Sequence, residues 1–377
     1  MKILIASTFQ SSGGAAKASS RLFSAIKDHV DTQYAFLDFL FLRPYLDQMV
    51  IRINEQRPDR FFSYSDLPTN SISKLVKKNR PDVLNLHWVQ SGFLSLSELQ
   101  EISCPIVWTL HDSWVFTGGC HIPLECEKHK TGCGFCPALN SSREEDLSRK
   151  TFNKKKLLFN QRKDIFVMPS KWLFDQASQS ELLKDQSKTI IKNIIPTKIF
   201  KIQDKYQARY RLGLPFDKKI LTFGAKDGFY EKNKGFDLLK EAAQISSSND
   251  LFFVFYGMSE PKDFTFKFPY LFLGEINDDE LMASIFNSAD LVCLPSRSEN
   301  SSNTIIEAQS CGTPVIAFDV GGNGELINHL DNGYLARPYD IKDFSQGFTE
   351  NFSQIVKSNI FPDPATEYLN LFKNIQN

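Results

Sequence analysis

Two carboxylates with seven residues between them, Glu299 and Glu307, are the side chains in this 377-residue sequence best spaced to do chemistry. They bracket a run in which the apolar residues 291–294 end at Pro295, small polar residues follow, and Asn303 or Thr304 can cap a helix that stops at Gly312. A second strand over 314–318 and the pair Gly321-Gly322 close the stretch. One carboxylate thus precedes a helix N-terminus and the other sits just inside it. Free backbone N–H groups and the positive end of the helix dipole draw a phosphate there, while carboxylates accept hydrogen bonds from sugar hydroxyls. A nucleotide sugar combines both kinds of group.

Other residues of chemical interest lie at strand ends, where doubly wound sheets collect their ligands. The run 81–86 passes into His87-Trp88, and 105–110 passes into His111-Asp112. His87, Trp88 and Asp112 are candidates for holding an acceptor, with packing in a domain wall as the alternative, and His111 is read as facing a reaction centre. Gly13 and Gly14 follow the first strand and permit φ > 0 or a close ligand approach. They lack the full G-x-G-x-x-G fingerprint, so a plain β-to-α turn competes with a phosphate loop. Cys120, Cys126, Cys133 and Cys136 are spaced C-x5-C-x6-C-x2-C. The closing pair can place two thiolates on adjacent tetrahedral corners of a structural zinc; four free thiols or disulfides are the rival readings.

The elements that would position these residues alternate between strand and helix along the chain. Strands are expected over 2–6, 34–38, 81–88, 105–110 and 188–195, with a strand and helix start over 164–173. After a linker at 196–200 the alternation restarts with strands at 220–224, 251–257, 270–274, 291–294, 314–318 and 333–336. Helices are expected over 71–79, 97–102, 142–161, 236–245, 278–288, 324–329 and 340–358, with 39–50 apolar but of uncertain type. The fold class is α/β, with an N-terminal domain at 1–195, a second at 196–360 and a C-terminal helix at 361–377. This length and 42% hydrophobic content allow each domain a core of its own. Forty-four basic residues balance 44 acidic ones, which removes any overall electrostatic case for nucleic acid or an anionic membrane. The first apolar run is too short for a signal peptide and no later run reaches the length of a membrane span, so a cytoplasmic protein with reduced cysteines is expected.

Taken together, Glu299-x7-Glu307, Gly312-Thr-Pro314 with Gly321-Gly322, Lys234-Gly235 ahead of a helix, and the Gly13-Gly14 loop resemble the retaining glycosyltransferases of family GT4. Trp108-Thr-Leu-His-Asp112 and the Cys-rich segment after Gly118-Gly119 look like a colanic-acid-type subgroup that serves capsule, exopolysaccharide and O-antigen assembly. The resemblance implies a GT-B fold, two Rossmann-like domains facing across a cleft, with the final helix returning to the first. It implies hexosyl transfer from a nucleotide-diphosphate sugar to a glycan or lipid-linked acceptor, no nucleic acid, and peripheral association with the inner face of the cytoplasmic membrane.

By the same resemblance, Glu307 receives ribose hydroxyls, Glu299 lies near the donor sugar, and Ser301, Ser302, Asn303 and Thr304 hold the diphosphate. Lys234 neutralises the leaving group, His111 sits by the donor sugar, and Gly13 and Gly14 admit the phosphates. Catalysis then needs no metal, and the leaving phosphate oxygen takes the acceptor proton in a front-face substitution. One departure stands out. The family carries an Arg where Gly224-Ala-Lys226 stands here, so Lys226 or Lys232 must stand in, as a point charge rather than a fork. A nucleotide-sugar 2-epimerase and a non-catalytic scaffold are the alternatives. A zinc-knuckle nucleic-acid binder is disfavoured by the zero net charge.

Overall fold

Runs such as KILIAS and LFFVFY are apolar along almost their whole length, the pattern of strands covered on both faces, and they sit inside parallel sheets. In the computed structural model, residues 1–10, 13–37, 42–54, 61–225, 231–352 and 363–375 are described. The first six strands are β1 (Lys2–Ser7), β2 (Asp31–Phe36), β3 (Val83–Leu86), β4 (Ile106–Thr109), β5 (Ile165–Met168) and β6 (Ser187–Ile190). They form one sheet in the order β2-β1-β3-β4-β5-β6. The next six, β7 (Lys219–Gly224), β8 (Leu251–Tyr256), β9 (Tyr270–Phe272), β10 (Leu291–Leu294), β11 (Val315–Phe318) and β12 (Gly333–Ala336), form a second sheet in the order β12-β11-β10-β7-β8-β9. All neighbours pair in parallel.

The chain divides into two compact units, Met1–Ile194 with Phe361–Asn377, and Ile195–Ile360. Each has its own core. In the first, Trp108, Trp114, Phe116, Phe159 and Phe166 are buried on one side of the sheet, while Ile3, Ile5, Leu22 and Ile26 lie in a second cluster. The helix Pro364–Asn374 joins that second cluster through Tyr368 and Phe372, which are 4% and 0% exposed, and Tyr368 Oη lies 3.1 Å from Thr109 Oγ1. In the second unit the phenylalanines concentrate around β8 and β9, where Phe253, Phe255, Phe264 and Phe266 meet largely edge to face.

In both sheets the order of strand addition reverses part-way, and that is where their ligand crevices should open. In the first unit the reversal falls between β1 and β3, below the loops that carry Gly13 and His87. In the second it falls between β7 and β10, below the loops that carry Lys234 and Glu299.

Several elements differ from the sequence expectation. The helix expected from Asn303 or Thr304 begins at Asn303 itself with Ser302 as N-cap, so both candidate caps are inside the first turn. The helix expected over 142–161 is Leu147–Asn160, because Asp146 accepts from Arg149 N–H at 3.0 Å and fixes the start. Residues 97–102 and 324–329 form short 3-10 turns at Leu96–Glu101 and Asn323–Glu325 in place of α-helices. Of the helix expected over 340–358, Ile341–Gln346 is seen, and 353–358 lie outside the described residues. The ambiguous 39–50 segment contains a helix, Leu42–Asn54, and residues 39–41 lie outside the description. Of the Gly13-Gly14 pair, Gly13 alone has positive φ, at +90°, while Gly14 opens the helix Gly14–Ile26 with an ordinary backbone.

Candidate functional site

In the second unit, Lys234 and Glu299 come together from loops that leave neighbouring strands. The Lys234 Nζ donates to Glu299 Oε1 at 2.8 Å, with the side chains 30% and 12% exposed. Burial works against the ammonium, but the Glu299 carboxylate, by charge and hydrogen bond, and the charge of Glu231 outweigh it. The Lys234 pKa therefore lies above the ordinary lysine value.

Two glycines make the approach possible. Gly321 has φ +60°, and a Cβ there would lie 1.8 Å from the Glu299 carbonyl oxygen, the same oxygen that accepts from Gly322 N–H at 2.9 Å. Gly235 has φ +70°, and its Cβ would lie 2.0 Å from the Pro295 carbonyl oxygen. Each would drive a side chain into backbone, which no rotamer can relieve. The Gly321-Gly322 pair thus cradles the backbone under Glu299, and Gly235 lets the Lys234 turn lie on the exit of β10.

The two loops are also tied by both main-chain and side-chain hydrogen bonds. Arg297 N–H donates to Asn233 O at 2.7 Å, and Asn233 Nδ2 donates to Ser298 O at 3.0 Å. The Arg297 guanidinium takes both oxygens of Asp237, at 3.0 and 2.6 Å, and reaches Lys232 O at 2.5 Å. Tyr339 Oη closes the set by donating to Arg297 O at 2.9 Å. Asn233, Arg297, Asp237 and Tyr339 were not singled out from sequence. Arg297 lies inside the Glu299 loop, so its planar fork was a signal that could have been read there. In this structure its guanidinium is held by Asp237 and the Lys232 carbonyl.

Beyond Glu299 the chain enters the helix Asn303–Ser310. Its N-cap, Ser302, makes no side-chain capping hydrogen bond. Ser302 is buried, while Ser301, Asn303 and Thr304 are partly buried at the helix mouth. Glu307, only 4% exposed, sits one turn further in. Burial and the Glu307 charge together push the Tyr256 phenol up, which places Tyr256, at the end of β8, in the field of that carboxylate. Lys232 is exposed, and Lys226 lies outside the described residues.

In the first unit, β3 and β4 deliver two His-containing ends side by side. His87 Nδ1 lies 2.9 Å from His111 Nε2, with the rings stacked at 5.1 Å. Burial holds His87 well below its ordinary pKa and lowers His111 to about 4, the nearby Asp112 opposing only part of it. Trp88 Nε1 donates to Asp112 Oδ2 at 2.9 Å, Trp114 N–H donates to Asp112 Oδ1 at 2.8 Å, and His121 Nδ1 stands 2.6 Å from Oδ2. Burial alone would raise the Asp112 pKa. The charge of His121 and these three hydrogen bonds carry it below the usual carboxylate value instead. Asp112 is thereby committed to bracing Trp88 and His121. Phe9 and Phe61 stack on Trp88 at 5.5 and 6.0 Å, and Thr8 N–H donates to Trp88 O, so the loop ahead of Gly13 is joined to the same face. Phe9, Phe61 and His121 escaped the sequence reading, since nothing local marks a stacking partner.

Cys120, Cys126, Cys133 and Cys136 line one cavity together with His129, and none of the four is in a disulfide. Cys133 accepts from Gly118 N–H at 3.2 Å, and Cys120 Sγ donates to Ile122 O at 3.3 Å. Burial pushes the Cys133 thiol up to about 12. Among the described residues no three His, Cys, Asp or Glu side chains are drawn into a metal-holding group.

With this geometry in view, comparison with known proteins gives consistent results. Residues 217–353 match the family model described as glycosyl transferases group 1. The chain is 32% identical to D-inositol 3-phosphate glycosyltransferase 1 of Catenulispora acidiphila over 45% of its own length and 42% of that protein. It is 28% identical over 71% of its length, and 66% of the relative's, to an Escherichia coli protein provisionally named a colanic acid biosynthesis glycosyl transferase. The match thus spans less than half of the first relative and about two thirds of the second. Among solved structures, sucrose-phosphate synthase from Thermosynechococcus elongatus aligns with a TM-score of 0.69 at 16% identity, covering 100% of this chain and 99% of that one. Anabaena HepE in complex with UDP and glucose aligns with a TM-score of 0.64, also at 16% identity, over 99% and 95%. Residues 217–353 therefore carry the match to the glycosyl transferases group 1 family, and the two parallel six-stranded sheets are those of the GT-B fold.

Proposed function

We propose that this chain is a retaining glycosyltransferase that moves a sugar from a nucleotide-diphosphate sugar to a glycan or lipid-linked acceptor in cell-surface polysaccharide biosynthesis. The observation that carries the reading is the Lys234–Glu299 pair beside the mouth of the Asn303–Ser310 helix, at the reversal point of the second sheet. A charged ammonium and a helix N-terminus offer a diphosphate fixed positive potential, and Glu307, one turn inside, offers an acceptor for ribose hydroxyls. HepE, which shares the fold, binds UDP-glucose, and the Escherichia coli relative carries a polysaccharide name. In the reaction the bond from C1 to the phosphate oxygen breaks, the acceptor oxygen bonds C1 on the same face, and the acceptor proton passes to the leaving phosphate. Lys234 meets the charge left on that oxygen, so the step runs without a catalytic metal.

Thermal-shift screening against UDP-, GDP-, ADP- and dTDP-sugars, followed by donor hydrolysis and NMR of the product anomer, tests this. One nucleotide sugar should stabilise the protein and be turned over with retention; no stabilisation and no hydrolysis would remove the enzyme reading. Glu307→Ala should weaken nucleotide binding by about 1–3 kcal/mol, the cost of unpairing a buried polar contact. Calorimetric titration giving unchanged affinity would strip Glu307 of its ribose role.

The membrane face is a further part of the proposal. No described helix is long and apolar enough to cross a bilayer, while Tyr45, Leu46, Met49 and Ile53 on the helix Leu42–Asn54 are exposed, a stripe suited to lying on a lipid surface at the inner face of the cytoplasmic membrane. A structural zinc in the cysteine-lined cavity is proposed on separate grounds. Cys120, Cys126, Cys133 and Cys136 all line that one cavity, and four thiolates would close a tetrahedral shell around the ion. Binding would have to draw the four sulfurs inward from the positions they hold here. Metal analysis of purified protein should then find about one zinc per chain, a structural four-thiolate shell holding a single ion; a value near zero ends that proposal.

A further inference from the structure

We propose that Asn85 and His87 are positioning residues that fix the tautomer of His111, with the proton on Nε2 and the lone pair on Nδ1, so that His111 meets a substrate hydroxyl as an acceptor.

The chain of donors and acceptors starts at Val107 O, a main-chain carbonyl that can only accept. Asn85, in the middle of β3 and fully buried, pairs in register with Val107 on β4. One end of its amide lies 3.0 Å from Val107 O and 3.0 Å from Thr109 Oγ1. A carbonyl oxygen only accepts, so that end of the amide is the NH2 group and the other end is Oδ1. Asn85 Oδ1 faces His87 Nε2 at 2.9 Å and likewise only accepts, so His87 carries its proton on Nε2. Burial keeps His87 neutral, which leaves Nδ1 with its lone pair. His111 Nε2, 2.9 Å from that lone pair, must therefore be the N–H partner. His111 is also neutral near pH 7, so its second nitrogen, Nδ1, is the acceptor. Every link is buried or partly buried, and reversing any one of them would set two lone pairs or two N–H groups face to face.

A histidine in this state cannot hand a proton to a leaving group at neutral pH. It can take a hydrogen bond from a sugar hydroxyl and so orient the ring that carries it. This use of His111 rests on the glycosyltransferase reading; the tautomer itself does not. The chain has six histidines, so selective 15N labelling of the imidazoles is tractable, and a His111→Gln variant assigns the resonances by subtraction. In the wild-type protein at pH 7, long-range proton–nitrogen correlation should show His111 protonated on Nε2 and bare on Nδ1, and His87 the same. Asn85→Leu, close in size but without the amide, should leave both rings as mixtures of tautomers. It should lower kcat about three- to tenfold, the share of one well-made hydrogen bond, with KM little changed. His111 found bare on Nε2 in the wild type would overturn the proposal whether or not the variant folds, as would a single unchanged tautomer in Asn85→Leu. If the tautomer is as stated and no nucleotide sugar is turned over, the glycosyltransferase reading fails and this inference survives.

Discussion

Replacing Lys234 with methionine should lower donor turnover by about 10²–10³-fold, the usual cost of removing one fixed group that meets charge developing in a transition state. The ammonium stays charged across the working range because Glu299 and Glu231 overcome its burial, so it offers a constant positive charge. Methionine keeps the length of the stem and removes only that charge. The variant also leaves the mostly buried Glu299 carboxylate without its 2.8 Å partner, which is destabilising in its own right. A double variant, Lys234→Met with Glu299→Gln, should regain thermal stability without regaining turnover. Steady-state release of nucleoside diphosphate reads the first effect and thermal melting the second. Turnover within threefold of wild type in the single variant would show that Lys234 is a structural partner of Glu299 and no more.

Gly321→Ala should be the most damaging single-methyl change in the second unit. The added carbon would stand 1.8 Å from the Glu299 carbonyl oxygen, so the loop beneath Glu299 must move or the turn must unwind. Overpacking of this kind costs about 1–3 kcal/mol, and alanine at φ +60° adds roughly another 1 kcal/mol. Gly213→Ala separates the two contributions, since Gly213 has φ +65° but nothing within 4 Å of its Cβ position. The expected order of melting temperatures is wild type, then Gly213→Ala, then Gly321→Ala, and only Gly321→Ala should also lose donor turnover. Equal behaviour of the two variants would mean that the contact beneath Glu299 is unimportant and the backbone angle is all that matters.

Much of this could be read before any coordinates because it is local. The strand, loop, helix and strand over 291–318 announce themselves through short apolar runs, Pro295 and Gly312, and all are found, with β10 ending at Leu294 as expected. Glu299 could be nominated from its spacing to Glu307, and Lys234 through the family resemblance. Their 2.8 Å contact could not, since it joins residues 65 apart and depends on β7 and β10 being neighbours. The bracing was illegible for the same reason. Arg297 reaches Asp237 across 60 residues, and Asn85 looks like an ordinary strand residue until the β3–β4 register sets it opposite Val107. Errors in element bounds came from capping. Ser302 took the place predicted for Asn303 or Thr304, because a run of small polar residues offers several near-equal helix starts.

The helix Pro364–Asn374 belongs to the first unit although the whole second unit precedes it in the chain. During synthesis the ribosome delivers Tyr368 and Phe372 only after residues 195–360 have emerged and had time to fold. Through that interval Ile3, Ile5, Leu22 and Ile26 lack part of their cover, and Thr109 waits for its phenol. Birth order and completion order are thus reversed: the unit made first is finished last, and a nascent chain halted before residue 364 exposes an apolar seat that a chaperone can recognise.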